Sequence, residues 1–188
     1  MIELLAHYFV LFMIYSFIGW LFEEITCSIG YRQLVNQGFL KGPYLPIYGC
    51  GAMLNLLVLG KIDNPVYIFI CSIILTTSIE YIASFLLEKA FHARWWDYSN
   101  YHYQLHGRVW LWSTLAFGGL SILELKIVNP ILEYYTYYFP EETVQYSAAL
   151  MFVIFFLDLL FSAYRQYGKK EYYRFPSTTQ RRQNKMAA

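Results

Sequence analysis

The sequence predicts an all-α, polytopic transmembrane helix bundle of about five spans, and three observations lead there. The chain of 188 residues is 57% hydrophobic. Only 14% of it is charged, against roughly 25% in ordinary soluble domains, and its mean hydropathy is positive. Its apolar residues gather in runs close to the roughly 20 residues that a helix needs to cross a bilayer. The bilayer is therefore the solvent for residues 1–167, a transmembrane helical domain. Residues 168–188 are polar and basic, and read as a disordered cytoplasmic tail.

The first run, Leu4 to Ile29, lacks a basic leader and a small-residue cleavage site and carries Glu23 and Glu24 near its end, so it reads as a retained span. The second, Pro43 to Gly60, is the shortest. It opens with Pro43, Pro46, Gly49 and Gly51, which predicts an irregular or re-entrant start, a backbone tolerated at membrane depth only where protein or water covers it. The third, Val66 to Leu87, is free of charge except for Glu80. The fourth, Val109 to Val128, leads into Asn129 to Tyr146, where Glu133, Glu141 and Glu142 stand among tyrosines, the composition of an interfacial connection lying along the membrane surface. The fifth, Ser147 to Tyr164, encloses Asp158. Cys27, Cys50 and Cys71 lie in or beside apolar runs without paired spacing and read as small packing residues.

Orientation follows from lysine and arginine placement. With five spans, twelve of the fourteen basic residues share one side; Lys61 and Lys126 fall opposite. The N-terminus is therefore expected outside and the tail inside, in a multi-pass plasma-membrane protein whose first partner is the lipid bilayer.

Charges inside apolar runs define the candidate site, because a carboxylate at a helix centre costs about 2.5–3.5 kcal/mol even on permissive scales. Each must be protonated, paired or turned to water. Glu80, Ser84, Glu88 and His92 step by four down one helix face, and Ser16, Gly19, Glu23 and Thr26 or Cys27 form a small, polar stripe on the first span. Arg94, Arg108 and Arg32 are the basic residues within reach, which predicts a charge-linked cluster of Glu23, Glu80, Arg94, Asp97 and Arg108 on the inner side. Asp158 has no basic neighbour on its own span, so it is either protonated or bonded to a hydroxyl such as Ser162, Ser78 or Thr76. Glu124 either snorkels or pairs with Lys126. The Glu88, His92, Glu23 and Asp97 set has donors for a divalent ion, yet a lone Glu-x-x-x-His is common in helices, and neither a metal nor a cofactor is assigned. No phosphate-binding Gly-x-x-x-x-Gly-Lys-[Ser/Thr] run occurs, and no nucleic-acid partner is expected.

The two inner connections are richer than plain loops. Residues 36–51 read NQGFLKGPYLPIYGCG, with Gly38, Gly42, Pro43, Pro46, Tyr48 and Gly49 fixing turns and close approaches. Residues 88–109 read EKAFHARWWDYSNYHYQLHGRV, where Trp95 and Trp96 precede Asp97, a folded cap at the inner interface.

Phe17-Ile18-Gly19-Trp20 with Glu23, Asn36-x-Gly38-Phe39-Leu40-x-Gly42-Pro43, Pro46-Ile47-Tyr48-Gly49, Glu80-Tyr81 and Glu88-Lys89-x-Phe91-His92-x-Arg94-Trp95-Trp96-Asp97-Tyr98-Ser99 with Gly107-Arg108 together resemble the bacterial membrane family called "Putative ABC-transporter type IV", permease-like proteins. The resemblance spans about residues 8 to 120; Trp110 stands where that pattern has Cys, and Gln104 where it has Asn. It implies a bacterial plasma-membrane component of a transport system. A separate ATPase subunit and homo-oligomerisation would then supply what a short chain lacks. Two alternatives stay open: an accessory membrane subunit, and an enzyme acting on lipid headgroups at the inner leaflet through its carboxylates, His92, Arg94 and Arg108.

A reporter fused after Lys185 is expected to be active only in a cytoplasmic form. Activity of an export-dependent reporter at that position would overturn the orientation.

Overall fold

The computed structural model describes residues 2–31, 38–92 and 94–167. The tail, Arg32 and Asn36 lie outside the described residues. Six helices follow one another: α1 (Ile2–Tyr31), α2 (Pro46–Leu59), α3 (Pro65–Phe91), α4 (Leu111–Leu123), α5 (Asn129–Tyr138) and α6 (Glu141–Tyr167), with a small hairpin of β1 (Gln104–Leu105) and β2 (Val109–Trp110) between α3 and α4. The architecture is an all-α polytopic bundle. Its helix starts follow local chemistry. Asn64 accepts the Val66 N–H at 2.9 Å in front of Pro65, Pro46 opens α2, and Glu141 and Glu142 face the positive end of the α6 dipole.

Among the described residues four stretches are long and apolar enough to cross a membrane: Ile2–Thr26, Pro65–Phe91, Leu111–Tyr138 and Glu141–Tyr167. The second expected span is not a full helix. Helix α2 has 14 residues, about 21 Å at 1.5 Å per residue, against a hydrocarbon core of about 30 Å. Irregular backbone makes up the difference. Residues 38–45 penetrate to the middle of α1, where the Leu45 N–H donates to the Ser16 carbonyl at 2.9 Å. Helix α2 starts at that depth and runs back toward the N-terminal end of α1. The chain thus has two ends: a loop end, where residues 92–110 fold, and an opposite end, where residues 60–64 turn into α3.

The connection expected along the surface after Val128 is also helical. A five-residue π segment, Glu124–Val128, joins α4 to α5, and the Asn129 N–H reaches back to the Glu124 carbonyl. Pro130 has no N–H for an ordinary α-helical bond and its ring crowds the carbonyl four residues back. The wider π turn absorbs that defect, and the helix continues to Tyr138 before breaking at Phe139–Pro140.

Helix α1 lies between α2 and α6, and α3 and α4 pack beyond α2. Small residues set the α1–α2 distance: a Cβ on Gly49 would stand 2.2 Å from Ser16 Oγ and 2.7 Å from the Phe12 carbonyl oxygen. On the other side Ala6 and Val10 pack on Ala148. Leu40 and Tyr44 of the loop join Met13, Phe155 and Leu159 in a core of their own. Lipid-compatible side chains such as Val153, Leu157 and Phe161 cover the outside of α6.

Glycine substitutions check this packing. Gly49→Ala is expected to lower stability by about 1–3 kcal/mol, the usual range for overpacking. Gly119→Ala, where nothing lies within 4 Å, is expected to be neutral or to stabilise by about 0.5–1 kcal/mol through backbone entropy. Melting temperatures of the purified protein in detergent compare the two directly; equal shifts would contradict the close α1–α2 approach.

Candidate functional site

The loop end is organised by three groups of polar side chains. The first is held by Asp158. Its carboxylate accepts the Gly42 N–H at 2.9 Å, the Lys41 N–H at 3.1 Å, the Tyr44 hydroxyl at 2.7 Å and the Ser162 hydroxyl at 3.1 Å. Ser162 was among the expected hydroxyl partners; the two backbone donors and Tyr44 were not. A carboxylate at this depth needs no cation when four donors surround it. The Lys41 ammonium instead lies 4.5 Å from the centre of the Phe161 ring.

The second group is an ion-pair network built by the 92–110 segment. Helix α3 ends where His92 takes a left-handed cap conformation and its N–H returns to the Glu88 carbonyl. At the hairpin tip His106 and Gly107 both have positive φ, and the Arg108 N–H closes on Leu105 at 2.9 Å. That two-residue turn is why glycine stands at 107 and why Arg108 points back at α3. Arg108 donates to Ser84 Oγ at 3.1 Å and to Glu88, and its guanidinium lies 5.6 Å from the Tyr81 ring centre and 5.5 Å from that of Phe85. Arg94 donates to Glu88 Oε1 at 3.0 Å and stands 3.7 Å from Asp97 Oδ1. Arginine suits this role because one planar fork can serve a hydroxyl and a carboxylate together. Trp96 Nε1 donates to the Arg108 carbonyl at 2.9 Å, and Trp95 packs edge-on against Phe39 and Phe91. The aromatics anticipated as a cap thereby tie the 38–45 loop to the end of α3.

The third group lies deeper. Tyr48, near the start of α2, donates to Glu23 Oε2 at 2.7 Å, and its ring fills the space left by Gly19, where a Cβ would stand 2.2 Å from it. Glu80 on α3 is buried, 6% exposed, lies within electrostatic reach of Glu23, and leaves Oε2 without a hydrogen-bond partner. Tyr98 of the cap approaches both carboxylates; burial, then their charges, push its hydroxyl far above the usual phenol range, so it stays a proton donor.

The expected single cluster is therefore divided. Among the described residues the ion pairs of Arg94 and Arg108 run to Glu88 and Asp97, and Glu80 takes part in none. Sequence reasoning put Glu23, Glu80, Glu88 and the arginines at one end but could not distribute the pairs. It missed Tyr48 as the hydrogen-bond donor to Glu23 and Tyr98 as a cap residue within electrostatic reach of both carboxylates. For Glu124 it offered snorkelling or Lys126 and did not see Asn55; among the described residues Glu124 does not pair with Lys126. Lys126 bonds to Asp63 and to the Ile62 carbonyl, both at 3.0 Å, while Glu124 accepts from Asn55 Nδ2 at 3.1 Å. A lone asparagine in an apolar run was the signal that could have found this pair.

Four helices long and apolar enough to cross a membrane, with one shorter apolar helix among them, make this a multi-pass membrane protein. The chain belongs to the family described as "Putative ABC-transporter type IV", which it matches over residues 10–163. Comparison with curated proteins and with solved structures gave no match.

Asp158→Asn is expected to cost on the order of 3 kcal/mol, since at least two charge-assisted bonds of about 1.5 kcal/mol each are lost and an amide N–H is turned toward backbone donors. The detergent melting temperature should fall accordingly. Labelling of a cysteine placed at Lys41 should rise in the same variant, and unchanged labelling would show that Asp158 does not hold the loop.

Proposed function

We propose that this protein is a permease-like component of a bacterial transport system, that its loop end faces the cytoplasm, and that the pocket of Glu23, Tyr48, Glu80 and Tyr98 receives a cationic group or a proton in the course of transport. The single observation carrying this reading is Glu80: a buried carboxylate beside a second one, with an oxygen lacking any partner although two arginines lie on the same helix end and are spent on Glu88. A buried carboxylate with an unsatisfied oxygen in a bundle interior is an expensive arrangement, of the kind found along ion and proton pathways. The broken second crossing supports the same reading, because discontinuous helices that start at mid-bundle commonly border transporter sites. The family supports the transport class.

The positive loops support the orientation. A short chain needs companions, so a second copy and a separate ATPase subunit are its proposed partners. The hairpin carrying exposed Tyr103 and Leu105 is the surface offered to such a subunit. The Arg94–Glu88–Arg108 network then holds that hairpin in register with α3, as a rigid lever between partner and pocket.

Glu80→Gln separates this reading from a purely structural one. It keeps the shape of the side chain and removes the charge. Membrane abundance and melting temperature are expected to match the wild type, while the variant fails to restore the phenotype of a strain deleted for the gene. Full restoration at normal abundance would defeat the proposal. A collapse in abundance would mark Glu80 as a brace for the fold.

A further inference from the structure

Another acid of the bundle, Glu124, lies at the opposite end from the pocket of Glu80, and its surroundings are unsatisfied in one particular way. Asn55 on α2 is 1% exposed. Its Nδ2 group donates to Ser121 Oγ at 2.8 Å and to Glu124 Oε2 at 3.1 Å, so both amide hydrogens are used. Asn55 Oδ1 and Glu124 Oε1 are buried and have no partner among the described residues. Both are acceptors. Two orphan acceptors in an apolar interior mean that the missing element is a donor or a positive charge, since an unmade hydrogen bond there is costly.

Neighbouring groups cannot supply it. The Ser121 hydroxyl donates to the Phe117 carbonyl at 2.8 Å, the Tyr15 hydroxyl of α1 donates to Asn129 Oδ1 at 3.0 Å, and the Lys126 ammonium is committed to Asp63 and Ile62. Glu133 on α5 is acidic and adds negative charge near Tyr15. The other titratable groups on that side include Cys71 of α3, packed in the cluster of Leu125, Tyr8 of α1, packed in the cluster with Val128 and Leu132, and His7 of α1, within electrostatic reach of Glu133. No ion pair involves Glu124 among the described residues. Glu124 also opens the π segment, and such widened turns within α-helices are frequent at functional sites.

We propose that Glu124 and Asn55 form a second buried binding site, independent of the pocket at Glu80, whose ligand is one exchangeable proton carried on the Glu124 carboxyl. The step is an acid–base equilibrium with water at the 60–64 end: the carboxylate takes a proton from hydronium and releases water, and the reverse reaction returns it. Protonation turns Glu124 Oε1 into a donor for Asn55 Oδ1. With the existing Asn55 Nδ2 bond to Oε2, this gives a cyclic acid–amide pair in which all four atoms are satisfied.

Infrared difference spectra of the purified full-length protein, acidified against alkaline, test this in the wild type and in Glu124→Gln, Asn55→Leu and Glu80→Gln. A carboxylic-acid carbonyl band that grows on acidification is expected, lost in Glu124→Gln, kept in Glu80→Gln and shifted in Asn55→Leu, where its hydrogen-bond partner is gone. Glutamine mimics the protonated acid, with N–H toward Asn55 Oδ1 and C=O toward Nδ2, so Glu124→Gln should fold. Its melting temperature should fall less than that of the wild type as pH rises. A Glu124→Gln spectrum identical to that of the wild type, or an Asn55→Leu band that does not shift, would overturn the proposal. So would a melting temperature that rises with sodium chloride but not choline chloride in the wild type alone, because a metal cation would then occupy the site.

Discussion

Everything at the loop end depends on one constraint: backbone N–H groups outside regular helices cannot be left bare inside a bilayer. Residues 38–45 carry such groups to the level of Ser16, and Asp158 accepts the N–H bonds of Lys41 and Gly42. One carboxylate in the middle of α6 thus permits a non-helical segment at membrane depth, which in turn permits α2 to begin there. Tyr48 then falls opposite Gly19 and meets Glu23. The Tyr48–Glu23 contact thus depends on where α2 begins.

Charge is then distributed by geometry rather than by availability. Two arginines could have neutralised Glu80, yet the tight turn at His106–Gly107 aims Arg108 at Ser84 and Glu88, one and two turns further along α3. Arg94, three residues beyond the end of that helix, is held to the same carboxylate. The network closes the cap, and deeper in the bundle Tyr48 donates to Glu23.

Much of this was legible in the sequence. Long apolar runs gave four of the crossing helices, and the Pro46 and Gly49 cluster marked the second run as irregular, because these residue types act locally. The continuation of α5 past Pro130 was not legible: proline and a tyrosine-rich stretch read as a break, and only the π turn, a cooperative feature of the formed helix, removes the conflict. Nor was the choice of Glu88 over Glu80 visible. Spacing puts both on one face, but a difference of two helical turns in depth is decided by where a hairpin tip lands. Asn55 and Glu124, 69 residues apart, meet only in the packed bundle, and no local pattern connects them.

The bond between Asp158 and the loop also has a consequence for how the chain is made. Lys41 and Asp158 are 117 residues apart, and at about 5–20 residues per second of synthesis the loop precedes its acceptor by roughly 6–23 s. For that interval the start of α2 has its helix but not its anchor. Glu23 and Tyr48, both in the N-terminal third of the chain, therefore reach their final geometry only after the last helix has left the ribosome. The N-terminal half is a provisional structure, kept open by the order of translation and closed from the C-terminal side.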